Sequence, residues 1–276
     1  MNTACAIHLN SSSDPSAIAR YTAAAQRQGF RRMAWIVGDR MERPAVDWAT
    51  LLDDLSRTAR QSHGFHVIGA SVRGAAPGVA AMGADASRSV APLVDWLRVA
   101  AVARLAWLGV GSCAPCEPSP RGERDRPDER LHALREALLT LRFDAEDAGV
   151  TLALCVPDSR LRLDPTGARD FLDALATPWI RFVLDFDAIA KDDEPCEWVE
   201  TLGARIEAMI VRVPARGGAA DASGGENSDR LRRARDAVAA MRRSAPRECV
   251  VLDGGEAADY AIMARVAQEI AVLEQT

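Results

Sequence analysis

The chain has 276 residues, 48% of them hydrophobic and 26% charged, with a formal net charge of −5. That length and apolar content suffice for a substantial core, and barrels of this size form one unit, so residues 1–276 are expected to be a single domain. The acidic balance argues against the clustered positive surface that a phosphate backbone requires, so no nucleic-acid partner is expected. The sole lysine is Lys191, which leaves Schiff-base chemistry almost no residue to use.

The N-terminal stretch MNTACAIHLNSSSD has neither the basic lead nor the long apolar run of a signal peptide, and no later stretch approaches the ~20 apolar residues of a membrane span. No membrane partner and a cytoplasmic setting are expected. The six cysteines, at 5, 113, 116, 155, 196 and 249, then read as thiols rather than a disulfide framework.

In chain order, eight short runs rich in β-branched or aromatic residues predict strands. They are CAIHLN (5–10), RMAWIVG (32–38), FHVIGAS (65–71), LAWLGVG (105–111), TLALCVP (151–157), RFVLDFD (181–187), AMIVRVP (208–214) and CVVLDGG (249–255). Longer helical patterns alternate with them, which is the signature of βα units on a parallel sheet. One such helix, predicted over 128–149, is preceded by Pro127, carries acids near its start and ends at Gly149, as capping and the helix dipole favour. Eight strands with eight helices predict a closed (β/α)8 TIM barrel. No 20–50-residue period repeats, which excludes a solenoid.

Two stretches break the compact pattern, 113–127 after the fourth strand and 214–229 after the seventh. They follow strand ends, where barrel enzymes keep their binding loops, and are read either so or as solvated insertions. The sixth run ends in Asp185 and Asp187, which at that spacing leave a strand on one face. Cys113 and Cys116 form a CxxC just beyond the fourth strand, and Cys155 ends the fifth. A zinc site from Cys113, Cys116, Cys155 and Asp185 is one reading, and inert buried thiols are the other.

AGVTLALCVP, DPTGARDFLDALATPWIRFVLDFDAIA, RIEAMIVRVPARGG and ECVVLDGGE resemble the last four strands of the xylose isomerase-like barrels, the superfamily of sugar isomerases, epimerases and endonuclease IV. AAAQRQGFRRMAWIVG is similar to that family's early helix and second strand. The resemblance implies a divalent cation held at strand ends by Glu, Asp, His and Glu after strands five to eight, polarising oxygens while a carboxylate moves the proton. It also implies a homo-oligomer. At those four positions this sequence carries Cys155, Asp185, Arg212 and Asp253, so one of the four is unchanged. A guanidinium stays protonated and ligates no cation, and its charge takes the metal's place between Asp185 and Asp253. No metal or other cofactor is therefore expected.

Two readings of that cluster stand side by side. Either it is an ion network that plugs a dead site, or Arg212 holds an anionic group while Asp185 or Asp253 acts as base, with Cys155 beside them. His8 on the first strand could face the barrel interior, and Trp35 and Trp107 on the second and fourth either stack on a sugar or pack. Arg73, Arg160 and Arg216 follow strands three, five and seven and would make the mouth positive. The expected activity is isomerisation or epimerisation of a small polyhydroxylated or anionic carbonyl compound without metal. The alternatives are a non-catalytic ligand-binding or partner protein, and a lyase or dehydratase on the same scaffold.

Overall fold

The computed structural model describes residues 3–9, 15–38, 46–73, 86–111, 127–156, 163–213, 224–244, 249–255 and 259–271. Strands β1 (Thr3–Leu9), β2 (Arg32–Val37), β3 (His66–Arg73), β4 (Trp107–Gly111), β5 (Thr151–Val156), β6 (Ile180–Asp185), β7 (Ile206–Arg212) and β8 (Val250–Asp253) pair in that order, all parallel, and β8 closes on β1. All eight runs are thus strands, and the architecture is the expected (β/α)8 TIM barrel.

The helices are α1 (Pro15–Arg27), α2 (Val46–His63), α3 (Ala86–Val102), α4 (Pro127–Ala148), α5 (Pro165–Leu175), α6 (Phe186–Asp192), α7 (Pro195–Leu202), α8 (Gly224–Ser244) and α9 (Tyr260–Ala271). The helix expected over 128–149 is α4, whose chain leaves through Gly149 at φ +64, a left-handed conformation that glycine adopts without cost. One strand-to-strand connection departs from the expected single helix. Between β6 and β7 the described chain makes two, α6 and α7, because Pro195 bars Glu194 from the helical region and then opens a new helix itself.

Strands buried on both faces read as continuous apolar runs, and side-chain parity sorts them into two layers. Leu9, Trp35, Val37, Leu154, Leu184 and Val211 face the helices. Ala6, Ala34, Ala153, Val183, Ala208 and Val251 face the lumen. The lumen residues are mostly small because one large ring fills the space. Trp107 lies so close over Gly69 that a Cβ there would come within 2.2 Å of the indole. Trp107 therefore packs inside the barrel, and Trp35 points the other way, its Nε1 donating to Ser56 Oγ on α2 at 3.0 Å. Neither ring stands at the mouth to stack on a sugar, so the expected substrate contact by Trp35 is corrected to barrel–helix packing.

Near the N-terminal ends of the strands, Glu207 on β7 is 4% exposed and lies 3.6 Å from Arg181 Nε on β6. Arg181 also donates from Nε to the Pro178 carbonyl at 3.3 Å and from Nη1 to the Ala204 carbonyl. This floor buries Cys249 as well.

Candidate functional site

At the opposite end, the last inward-facing residues of β6, β7, β8 and β1 are Asp185, Arg212, Asp253 and His8. β6 ends at Asp185 because its side chain caps the next helix, Oδ1 accepting the Ala188 N–H at 3.1 Å. Asp187 consequently does not share a strand face with it. It lies in the first turn of α6, where Oδ2 accepts the main-chain N–H of Arg212 at 2.8 Å and Oδ1 accepts Nε of Arg230 at 2.6 Å. The expectation of two carboxylates side by side on one strand fails for that reason.

Arg212 and Asp185 do come together. Arg212 Nη2 donates to Asp185 Oδ2 at 2.8 Å, and the arginine side chain remains 47% exposed. Its Nε and Nη1 have no partner among the described residues. Both Asp185 oxygens are thus committed, one to a helix cap and one to a guanidinium, which suits a holder of Arg212 and not a base. A cluster this open at its arginine is not a buried plug.

Asp253 has a different partner from the one its position suggested. Its Oδ1 accepts the Gly255 N–H at 2.9 Å and lies 2.6 Å from Nε2 of His8. The carboxylate is 3% exposed and the imidazole 13%. An ionised carboxylate only accepts, so against it Nε2 is the donor, and the tautomer protonated there has its lone pair on Nδ1. Nδ1 has no partner among the described residues. Asp253 is thus paired with His8, and His8 is the residue of the two with a ring nitrogen unpartnered among the described residues.

Cys155, the penultimate residue of β5, is buried with its Sγ 4.0 Å from Ser71 Oγ, and a Cβ on Gly111 would lie 2.7 Å from its own Cβ. Of the thiols, burial pushes Cys5 up to about 12 against a weaker opposing backbone bond. It does the same to Cys249, with Arg32 opposing and Glu207 reinforcing. Arg160, Arg216, Cys113, Cys116 and the side chain of Arg73 lie outside the described residues, as does the CxxC half of the zinc alternative. Among the described residues, no three His, Cys, Asp or Glu side chains gather as a cation site.

A divalent cation of the kind the resemblance implies does not fit this donor set. The Asp185 oxygen it would take is bonded by a permanently charged guanidinium, which has no lone pair to offer. At the next position Asp253 Oδ1 is bonded by an amide and an imidazole.

Sequence reasoning placed His8 and Asp253 but did not pair them. The signal was available: in a closed barrel β8 lies beside β1, and both residues have inward parity. Arg230 was missed, and nothing marks it among the arginines of α8 until the helix is docked.

No family model matches the sequence, and no curated protein matches it. The structure is similar to D-psicose 3-epimerase from Clostridium cellulolyticum with D-tagatose, at TM-score 0.67 and 15% identity over 100% of this chain and 98% of that one. It is similar to 3-keto-D-glucoside 4-epimerase from E. coli, at TM-score 0.62 and 14% identity over 100% of both chains. It is also similar to a family 2 AP endonuclease from Brucella melitensis, at TM-score 0.62 and 13% identity over 95% of this chain and 96% of that one. At such identities the likeness establishes the fold and leaves the chemistry to the site. Among the described residues no helix is long and apolar enough to cross a membrane.

Proposed function

We propose that this chain, a xylose isomerase-like (β/α)8 barrel, moves a proton between carbons next to a carbonyl in a small polyhydroxylated compound, in the cytoplasm and without a divalent metal. The observation that carries the reading is the His8–Asp253 pair standing beside a half-exposed Arg212. Several of the similar structures are named as sugar epimerases, which supports the substrate class.

The residues divide the work as follows. His8 Nδ1 takes the proton from the carbon next to the carbonyl, and the C–H electron pair moves into the carbonyl to give an enediolate. Asp253 stabilises the imidazolium that results. Arg212 donates from its open nitrogens to the oxygen on which charge develops, a bond stronger in the transition state than in the ground state. The hydroxyl proton passes from one enediolate oxygen to the other, and the imidazolium returns its proton to the former carbonyl carbon, leaving the carbonyl on the neighbouring carbon. One open imidazole serves one face of the substrate, so a 1,2-shift fits the site better than inversion at a single carbon, which needs a second acid–base group opposite.

The test is incubation with D-psicose, D-fructose and D-tagatose in D2O, followed by NMR. Deuterium entering the carbon-bound positions, lost in His8→Gln and unaffected by dialysis against EDTA, is the expected result. Thermal stabilisation by a sugar without exchange would instead identify a binding protein, and release of water from the sugar a dehydratase. Exchange that vanishes with EDTA and returns with manganese would overturn the metal-free assignment.

A further inference from the structure

The β6–β7 pairing ends with Asp185 opposite Ile210, since β6 turns into α6 there. Arg212, two residues further along β7, has no β6 backbone to bond on that side. Its main-chain N–H goes to Asp187 Oδ2 at 2.8 Å, and its carbonyl accepts Nη2 of Arg230. Arg230 Nε meanwhile donates to Asp187 Oδ1 at 2.6 Å, with its guanidinium 6.0 Å from the centre of the Phe186 ring. Three residues from β7, α6 and α8 thus form a closed ring of hydrogen bonds through the main-chain N–H and carbonyl of Arg212. On the β8 side, the Val213 N–H donates to the Asp253 carbonyl at 2.7 Å, so the strand end is held from both flanks.

We infer that Asp187 and Arg230 are positioning residues that decide which carboxylate the Arg212 guanidinium takes. The inference rests on the proposed role of Arg212 and extends it to how that role is maintained. Two carboxylates, Asp185 and Asp187, lie within reach of the end of β7, and an arginine with free N–H groups bonds whichever is uncompensated. Arg230 compensates Asp187 and confines it to the main chain. The guanidinium of Arg212 is then left to Asp185 through Nη2, with Nε and Nη1 unpartnered among the described residues. Without Arg230, Asp187 would compete for those two groups and withdraw them from a ligand.

The test needs no substrate. The intact protein is labelled with phenylglyoxal, and modification of Arg212 is followed by peptide mass spectrometry. Arg205, held by two bonds to Asp173, serves as internal reference. In Arg230→Gln the Arg212 rate is expected to fall by up to about fivefold, the factor that one added ion pair carries at a half-exposed arginine. The double variant Arg230→Gln with Asp187→Asn should restore it, because the competing charge is gone. Arg230→Met, whose stem still packs on Phe186, carries the same expectation if the glutamine variant does not fold. An unchanged or faster rate at Arg212 in a folded variant would overturn the inference, since a ring that merely braces the strand end would loosen the arginine. Sugar exchange is read separately, so its absence would sink the proposed activity and leave this result standing.

Discussion

The same two strands, β6 and β7, carry an arginine–carboxylate pair at each end, and the two pairs differ in kind. At the floor the arginine is on β6 and the acid on β7: Arg181 and Glu207, 16% and 4% exposed, with N to O at 3.6 Å. At the mouth the order is reversed: Asp185 on β6 and Arg212 on β7, 11% and 47% exposed, at 2.8 Å. Arg181 spends its nitrogens on carbonyls of its own chain, whereas Arg212 keeps two of them unpartnered among the described residues. The floor pair closes the barrel and the mouth pair presents a charge. Position along the barrel axis, and not residue type, separates the arginine held at the floor from the one half-exposed at the mouth.

The sharpest way to break that contrast is at the mouth. His8→Gln is expected to lower deuterium exchange by about 10²–10⁴, the range for loss of a general base, with the fold intact by circular dichroism. Arg212→Ala should lower exchange by about 10²–10³, as for loss of an oxyanion donor. In urea the same variant should lose under ~1 kcal/mol, since an exposed pair contributes little. Glu207→Ala should do the reverse, costing about 3 kcal/mol by urea unfolding because it leaves a largely buried guanidinium without its carboxylate. If Arg212→Ala destabilised as much as Glu207→Ala, the two ends would not differ as argued.

The smallest effect concerns the thiols. Cys5 and Cys249 are raised in the folded state, so the unfolded chain releases those protons first, and the unfolded state binds fewer protons above pH 9. Stability is then complete below about pH 9 and declines as pH rises toward 12. A thermal midpoint that falls between pH 8.5 and 10, less steeply in Cys5→Ala, is the expected measurement. The native protein should also leave both thiols unreacted toward a disulfide reagent at pH 8.

The strands were legible because a parallel barrel buries both faces, so each announces itself as an apolar run whatever its neighbours do. Asp185 and Arg212 were legible as a pair because both stand at the ends of adjacent strands. Asp187 misled, since a two-residue spacing has strand parity only while the strand lasts, and the Asp185 side chain stops it by capping α6. His8 and Asp253 lie 245 residues apart and meet only because the sheet closes. Trp35 and Trp107 read alike in sequence, and a register shift between β2 and β3 accompanies their opposite placement.

By itself the sequence determined the barrel and the presence of an arginine at the tip of its seventh strand, because periodicity and residue chemistry are local properties. Which carboxylate that arginine grips, which residue holds the free lone pair and which helix steadies the strand end were decided by tertiary structure alone. Those outcomes depend on which groups are left unbonded once the sheet closes and α6 and α8 dock. No local pattern encodes that remainder.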